Sequence, residues 1–196
     1  MRKVCRLHVR GVETLPAGGC LVVPNHLGWK RALILHTACH RPIRFLVYEP
    51  VYRKLLLNPV FRLLGAIPVP SRKPQDILRA ASACLHAGEM VCLFPEGELA
   101  RPGMLLRLRR DYERIAHAAE CPVVPVWLGR LCGPVFAWQE GQFPLPHPMS
   151  VHFGEPMEHH RAGIALLRQR MLELGERLIK RAPSSKATWP SLACGG

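Results

Sequence analysis

Short apolar runs alternate with longer segments of helical periodicity along most of the chain. Five of the apolar runs are short, rich in β-branched residues and closed by Pro or Gly, as buried strands are: 20–24, 43–48, 66–70, 90–95 and 122–128. Two further apolar runs, at about 4–10 and 149–154, are predicted to complete the set of strands. Helical patterns follow at about 29–40, 51–64, 74–87, 105–119 and 160–181. This alternation predicts an α/β fold with a largely parallel central sheet flanked by helices.

The length of the chain favours a single domain. With 196 residues, 48% of them hydrophobic, the chain can bury one substantial core. We predict one domain over residues 1–182 and a flexible tail over residues 183–196, where the sequence becomes polar and Gly-rich. No apolar run reaches the roughly 18 to 20 residues of a membrane-spanning helix, and Arg and His interrupt the N-terminal segment too often for a signal peptide. We therefore expect a cytoplasmic protein.

Two of the predicted helices have an apolar face whose partner the sequence leaves open. The stripe of the last helix consists of Ile164, Leu167, Met171, Leu174 and Leu178. Packing against its own sheet is the simpler interpretation of that stripe, and a membrane surface or a partner protein is the other. Segment 50–64 interleaves bulky apolar residues with Arg53, Lys54 and Arg62, and Pro59 is expected to end or kink its helix. That composition fits a membrane interface or a core helix with snorkelling cations equally well.

The charge of the chain indicates a polyanionic partner. Lys and Arg together number 27 against 14 Asp and Glu, which gives a net charge of +13, and Asp76 and Asp111 are the only aspartates. An anionic membrane surface and a nucleic acid both attract such a protein. The sequence has no helix-turn-helix, zinc or aromatic-basic signature, so charge alone supports a nucleic acid. We predict an anionic membrane face as the partner, and no nucleic acid.

The cysteines and histidines give little support for a metal site. The eight cysteines form no C-x-x-C pair and mostly lie within apolar stretches, as reduced core cysteines do. His36 and His40 are four residues apart with Cys39 between them, which could in principle hold a metal ion. Because no third and fourth ligand follow at a recognisable spacing, we predict that the protein has no metal and no prosthetic group.

Three unusual turns follow predicted strands, at the end of the sheet where α/β proteins bind ligands. The first turn, "PNHLGWK", offers His26, which could act as a general base toward a bound hydroxyl. The second, "PVPSRKP", offers Arg72, and the third, "FPEGELARPG", offers Glu96 and Arg101. Arginines bind phosphate oxygens bidentately, and a carboxylate beside the tight turn at Gly97 could bind a second hydroxyl or position the arginines.

Each of these residues alone has an ordinary structural explanation. A single histidine at a strand–helix junction is more often a cap or a satisfied core group. A lone Arg72 would be a solvated loop cation, and a lone Glu96 would be a turn residue near a helix N-terminus. Taken together, a base, a phosphate clamp and a carboxylate indicate acyl transfer to a phosphorylated alcohol.

The order of these turns resembles the four sequence blocks of the glycerolipid acyltransferases. That family includes lysophosphatidic acid acyltransferase and the bacterial lysophospholipid (2-acylglycerophosphoethanolamine) acyltransferases. The similar blocks are "NHLGW", "GAIPVPSR", "FPEG" and "VVPVWL", in that order. The resemblance covers about residues 8–157, including the opening phrase "HVRGVETLP" and the segment "GMLLRLRRDYERIA" after the third block.

The resemblance implies a role for each block. His26 would be the base that deprotonates the acceptor hydroxyl for attack on an acyl thioester, supplied by coenzyme A or acyl carrier protein as co-substrate. Gly65 and Arg72 would lie in the block that holds the acceptor's phosphate, and the FPEG block, 94–97, would also bind the acceptor. The fourth block, with Pro125 and Val126, would be largely structural and near the acyl site. The acceptor would be a lysophospholipid or 1-acylglycerol-3-phosphate, and the enzyme would work at the inner, cytoplasmic face of the membrane.

Position 31 departs from the family pattern. The pattern is H-x-x-x-x-D, and the fifth residue after His26 is Arg31. The carboxylate of such a pair orients the imidazole and stabilises the imidazolium, whereas a guanidinium there would hold the ring neutral. We expect this reversal of charge to lower turnover by about 10² to 10⁴ unless another carboxylate replaces the missing one. Arg31 then has three explanations: a degenerate member of the family, a single change in an otherwise active enzyme, or a rearranged catalytic pair. The alternative to an active enzyme is a catalytically impaired lipid- or membrane-binding module on the same fold.

Overall fold

A seven-stranded sheet forms the centre of the protein. The computed structural model describes residues 7–25, 29–69, 74–96, 105–130 and 149–179. The strands are β1 (Leu7–Arg10), β2 (Cys20–Pro24), β3 (Ile43–Tyr48), β4 (Ile67–Val69), β5 (Met90–Cys92), β6 (Val123–Arg130) and β7 (Met149–Phe153). Their order across the sheet is β1-β7-β6-β2-β5-β3-β4. The seven predicted strands are thereby confirmed, most of them within two or three residues of their predicted ends.

Most of the strands run in one direction. Strands β6, β2, β5, β3 and β4 are mutually parallel. Strand β7 pairs antiparallel with β6, and β1 pairs parallel with β7. The prediction of a single α/β fold around a largely parallel sheet is therefore confirmed.

Helices cover both faces of the sheet. They are α1 (Trp29–Ala38), α2 (Glu49–Tyr52), α3 (Asn58–Leu63), α4 (Pro74–His86), α5 (Asp111–Ala118) and α6 (Ile164–Ile179). Alternate residues of β2 enter two separate cores: Leu21 and Val23 pack with α4, α5 and α6, whereas Cys20 and Val22 pack with α1 and α3. Burial on both faces explains why the central strands are continuously apolar in sequence.

Helix α6 confirms the simpler interpretation of its apolar stripe. Leu167 and Met171 are completely buried, and Leu174 is 8% exposed. All three belong to the core on the side of α4 and α5. Gly175 lets the helix approach the sheet closely, because a Cβ there would lie 2.8 Å from the Trp127 ring.

Two predicted helices differ from the observed ones. Residues 105–110 were predicted to be helical, but helix α5 begins only at Asp111. The predicted helix over 51–64 is instead the end of α2, which begins at Glu49, followed by the separate short helix α3. Pro59 lies in the first turn of α3 instead of ending a helix. Proline is well tolerated in a first turn because its fixed φ suits the beginning of a helix.

Gly11, in the opening phrase of the chain, occupies a position that requires glycine. Its φ is +72°, in the left-handed region, where other residues are strained. A Cβ at this position would also collide with the carbonyl oxygen of Phe153 at the end of β7. The residue therefore allows β1 to turn sharply into the single 3₁₀ turn Val12–Thr14 beside the sheet.

Candidate active site

The carboxyl ends of the five parallel strands form one edge of the sheet. Strand β2 ends at Pro24, β4 at Val69 and β5 at Cys92, and the three turns singled out in the sequence follow these strands. Strands β2 and β5 are direct neighbours, with Val22 beside Cys92. The fold thus brings the beginnings of the three turns to one edge, and the turns after β2 and β5 start side by side.

The predicted site residues are only partly described. Glu96 is described completely, and the backbone at Arg31 lies in the first turn of α1. The remaining predicted residues, His26, Arg72, Gly97 and Arg101, lie outside the described residues. Their roles, and that of Arg31, stay predictions.

Asn25, which directly precedes His26, fixes the end of strand β2. Its side chain is fully buried. Asn25 Oδ1 accepts a hydrogen bond from the Leu128 N–H at 2.7 Å, and Asn25 Nδ2 donates one to the Leu128 carbonyl at 3.2 Å. The amide takes the place of the next peptide group in the β2–β6 ladder, whose last paired residues are Pro24 and Val126. The chain can therefore leave the sheet after Asn25 without leaving buried groups of β6 unpaired.

Glu96, the carboxylate of the third turn, is 5% exposed. Its Oε2 accepts a hydrogen bond from the Leu106 N–H at 2.8 Å. One residue earlier, the Pro95 carbonyl accepts a hydrogen bond from the Arg109 N–H at 2.8 Å. These two contacts hold residues 105–110 as an irregular strap beside the end of β5, which explains why the predicted helix starts late. Glu96 thus has a structural partner in addition to its predicted role toward an acceptor.

Several arginines surround the cleft beside Glu96. The arginines that line it are Arg107, Arg109, Arg110 and Arg168. Arg168 reaches over from α6, and its Nη1 donates to the Leu106 carbonyl at 3.0 Å. Arg109 Nε lies 3.1 Å from Asp111 Oδ2, in an exposed ion pair. The cleft therefore has a positive lining that would attract an anionic ligand.

Sequence reasoning assigned no role to Asn25 or to these arginines. The sequence does single out Asn25, because it is a polar residue directly after a completely apolar strand. The run "RLRR" at 107–110 was visible too, but Arg168 is far from it in the sequence. Only the fold shows that α6 and the strap lie together.

The described cysteines are poor candidates for a nucleophile. Burial raises the pKa of the Cys39 and Cys121 thiols to about 11, and burial raises the pKa of Cys20 to about 12. The thiolate, which is the reactive form, is therefore scarce at neutral pH. All five described cysteines are free.

One group of residues whose side chains could bind a metal ion lies away from the candidate site. Among the described residues, the group of three whose ligand atoms lie within 4.8 Å of one another is Glu158, His159 and His160. The neighbouring Met157 pairs with Val123 at the start of β6, so this group is at the opposite edge of the sheet. His36 and His40 do not belong to such a group within the described part of the chain.

Comparison with known proteins gives the family of this α/β fold. A family model described as Acyltransferase matches residues 6–129, which is more than half of the chain. The matched region contains all three turns and the strands that carry them. The chain belongs to the Acyltransferase family.

Two relatives carry the same description. The chain is 26% identical to a 1-acyl-sn-glycerol-3-phosphate acyltransferase of Pseudomonas aeruginosa, over 62% of the chain and 48% of that protein. It is 27% identical to a 1-acyl-sn-glycerol-3-phosphate acyltransferase of Limnanthes douglasii, over 52% of the chain and 37% of that protein. The matched region thus spans less than half the length of each relative.

A solved structure has the same fold. The crystal structure of the 1-acyl-sn-glycerophosphate acyltransferase PlsC from Thermotoga maritima superposes with a TM-score of 0.65 at 22% identity. The superposition covers 94% of this chain and 74% of that one. Among the described helices of this chain, none is long and apolar enough to cross a membrane.

Proposed function

We propose that the chain is an O-acyltransferase that moves a fatty acyl group from a thioester to the free hydroxyl of a lysophospholipid or 1-acylglycerol-3-phosphate. The observation that carries the proposal is that the three family turns follow parallel strands whose carboxyl ends share one edge. The names of the two relatives support a glycerol phosphate acceptor. The buried Asn25 amide supports the role of His26, because it fixes the backbone directly before that residue.

In the proposed reaction, a ring nitrogen of His26 takes the proton of the acceptor hydroxyl. The oxygen attacks the thioester carbonyl carbon, which becomes tetrahedral, and the C–S bond then breaks. The leaving sulfur receives the proton from the imidazolium, so the products are an ester and a free thiol. Arg72 and Arg101 would hold the acceptor's phosphate, and Glu96 and Gly97 would shape its site.

The positive cleft supports an anionic thioester donor. Coenzyme A carries phosphates, and acyl carrier protein is the other donor that the family resemblance implies. Either donor would bring its charge toward the arginines of the strap. No metal or prosthetic group takes part in the proposed reaction. The net charge of +13 supports work at an anionic membrane, on its inner face.

A second candidate function follows from the first turn of α1. That turn contains Lys30 and Arg31 and has no acidic residue. Without the family carboxylate, His26 would be a weak base, and the protein would bind lipid without turning it over. This candidate predicts lipid binding without consumption of the thioester.

Thiol release from acyl-coenzyme A and from acyl carrier protein, measured with a panel of lysophospholipids, tests the proposal. The unaltered chain is compared with His26→Ala and Arg31→Asp. Activity that is lost in His26→Ala supports the base and requires a substitute carboxylate. Activity found only in Arg31→Asp identifies an acyltransferase scaffold that Arg31 silences. If none of the three releases thiol, the proposed reaction is wrong and the lipid-binding candidate replaces it.

A further inference from the structure

Three leucines between β3 and β4 are almost completely exposed. Leu55, Leu56 and Leu63 are 88%, 87% and 88% exposed. The other exposed large apolar side chains of the described residues, Tyr48 and Leu172, reach only 51% and 40%. Single exposed leucines are common on soluble proteins, but a group of them indicates an interaction surface.

The three leucines lie on one side of a helical path. The Asn58 N–H donates to the Lys54 carbonyl at 2.8 Å, and the Phe61 N–H donates to the Leu57 carbonyl at 3.0 Å, so the helical bonding of α3 extends back to residue 54. At about 100° per residue, residues of this path separate into two arcs. The outer arc contains Leu55, Leu56, Pro59, Arg62 and Leu63. We call Leu55, Leu56 and Leu63 the leucine face.

The inner arc, which includes Leu57, Asn58 and Phe61, packs against the rest of the protein. This packing keeps the leucine face on the outside. Phe61 is 6% exposed and stacks on Tyr52, with ring centroids 5.9 Å apart. Asn58 Nδ2 donates to the Tyr52 carbonyl at 3.0 Å, which ties α3 to α2. Leu57 packs against the same core as Phe61. Rotation that buried the leucine face would therefore expose Phe61 and break these contacts.

The leucine face belongs to the same edge of the sheet as the candidate active site. Strand β3 ends at Tyr48, and β4 begins at Ile67, which pairs with Leu46 only two residues earlier on β3. The segment between the strands therefore starts and returns near the carboxyl ends of the parallel strands. A surface that bound the leucine face would lie close to the edge from which the three family turns emerge.

Cations accompany the leucine face. Lys54 and Arg62 are exposed and make no ion pair with the residues that the structure describes. Arg53 is paired with Glu49 at 2.5 Å. Apolar side chains flanked by available cations fit the boundary between the acyl chains and the phosphates of an anionic bilayer.

We propose that the leucine face docks the protein on an anionic lipid bilayer, with Leu55, Leu56 and Leu63 inserted among the acyl chains and Lys54 and Arg62 at the phosphates. Docking would hold the carboxyl edge of the sheet at the membrane surface, where a lysophospholipid acceptor resides. The benefit to turnover rests on the proposed function, but the docking itself does not.

Partitioning onto vesicles of phosphatidylcholine mixed with phosphatidylglycerol, measured by sedimentation, tests the docking. Replacing all three leucines by glutamine is expected to lower the partition coefficient on the order of 100-fold, because the removed apolar area no longer enters the bilayer. Lys54→Gln with Arg62→Gln should weaken binding about tenfold or more on these vesicles at low salt. The same pair of changes should have little effect on pure phosphatidylcholine vesicles.

A single change, Leu63→Gln, is compared with Leu172→Gln as its matched control. Leu172 is an exposed leucine of α6, and α6 packs on the opposite face of the sheet. Only Leu63→Gln should weaken binding. Relative to the unaltered chain, Leu56→Trp should add fluorescence that lipids with brominated acyl chains quench, whereas the fluorescence added by Leu172→Trp should not be quenched. Thermal unfolding should be unchanged in all these variants, because the replaced side chains are exposed.

Equal partitioning of the triple variant and the unaltered chain would overturn the docking. A dimer in sedimentation velocity that the triple variant abolishes, without any difference in vesicle binding, would also overturn it, because a second copy would then cover the leucine face. Failure of the proposed function is a separate outcome. It appears as absent thiol release with a short-chain, monomerically dissolved lysophospholipid, a substrate for which the triple variant should equal the unaltered chain.

Discussion

The buried amide of Asn25 provides a test of how the candidate site is held in place. In Asn25→Ala, the N–H and the carbonyl of Leu128 both lose their partner, and Leu128 is only 1% exposed. Each lost hydrogen bond contributes about 1 kcal/mol, and a buried group left unpaired costs about 1 to 3 kcal/mol. Because two buried groups are left unpaired, we expect the free energy of unfolding to fall by about 2 to 6 kcal/mol.

Urea unfolding measures this loss. The midpoint should fall while the slope with urea concentration stays unchanged, which shows that the change affects stability and not compactness. Hydrogen exchange at the Leu128 amide should become faster in Asn25→Ala by more than at other amides of β6. A loss below about 0.5 kcal/mol would refute the assignment of these two hydrogen bonds as the anchor of the turn.

Thiol release separates the local effect from general instability. In Asn25→Ala the chain before His26 keeps its backbone hydrogen bond to Val126 but loses both side-chain ties to Leu128, so the turn is held less firmly. A displacement of about 1 Å at a catalytic group can cost about 10²-fold in rate. Leu167→Ala is the matched control, because it removes a fully buried leucine of α6 and should cost a similar 2 to 5 kcal/mol. Well below both melting temperatures, Leu167→Ala should keep its turnover and Asn25→Ala should lose most of it. Equal turnover in the two variants would contradict the positioning role.

Three further outcomes follow from polar groups and thiols outside the candidate site. Arg41 donates hydrogen bonds to three backbone carbonyl groups at 2.5 to 2.9 Å, so Arg41→Lys should lower the free energy of unfolding by about 1 to 2 kcal/mol in urea. Hydrogen bonding from Arg44 holds the pKa of Glu89 below its ordinary value of 4.5, so this stabilisation is present above pH 4.5 and is lost as the pH falls through the lowered pKa. Glu89→Gln should thus weaken the acid dependence of unfolding and change stability at neutral pH by less than about 1 kcal/mol, because the pair is partly exposed. Cys39 and Cys121 should react slowly with maleimide at pH 7 in the native protein and rapidly in urea, as measured by mass spectrometry; equal rates would contradict their raised pKa values.

The strands could be predicted because their information is local. A run such as residues 20–24 is apolar along its whole length, and a strand buried on both faces requires that pattern. The late start of α5 could not be predicted in the same way. Residues 105–110 have helix-compatible side chains, but Glu96 and Pro95 accept their N–H groups, and these contacts depend on where β5 ends.

The candidate site was predictable as a set of turns but not as a set of contacts. Glu96 was recognised from the turn that contains it, because a carboxylate before glycine stands out in an apolar context. Asn25 and Leu128 are 103 residues apart, and no local pattern links them. Arg168 likewise reaches the strap from a helix far along the chain. Contacts of this kind need the order of the strands, which the sequence alone did not give.

Arg31 is unfavourable for a reason that is independent of its predicted effect on His26, which makes the position informative. It lies in the first turn of α1, where the helix dipole disfavours a cation by about 0.3 to 1 kcal/mol, and that turn has no acidic residue. The aspartate of the family pattern would be favoured at the same place. Arg31→Asp should therefore stabilise the protein whether or not His26 is a working base. If Arg31→Asp gains stability without releasing thiol, helix α1 is intact and the inactivity is not a folding defect. That result would favour the lipid-binding candidate. If stability and turnover rise together, the charge at this one position is what limits the enzyme.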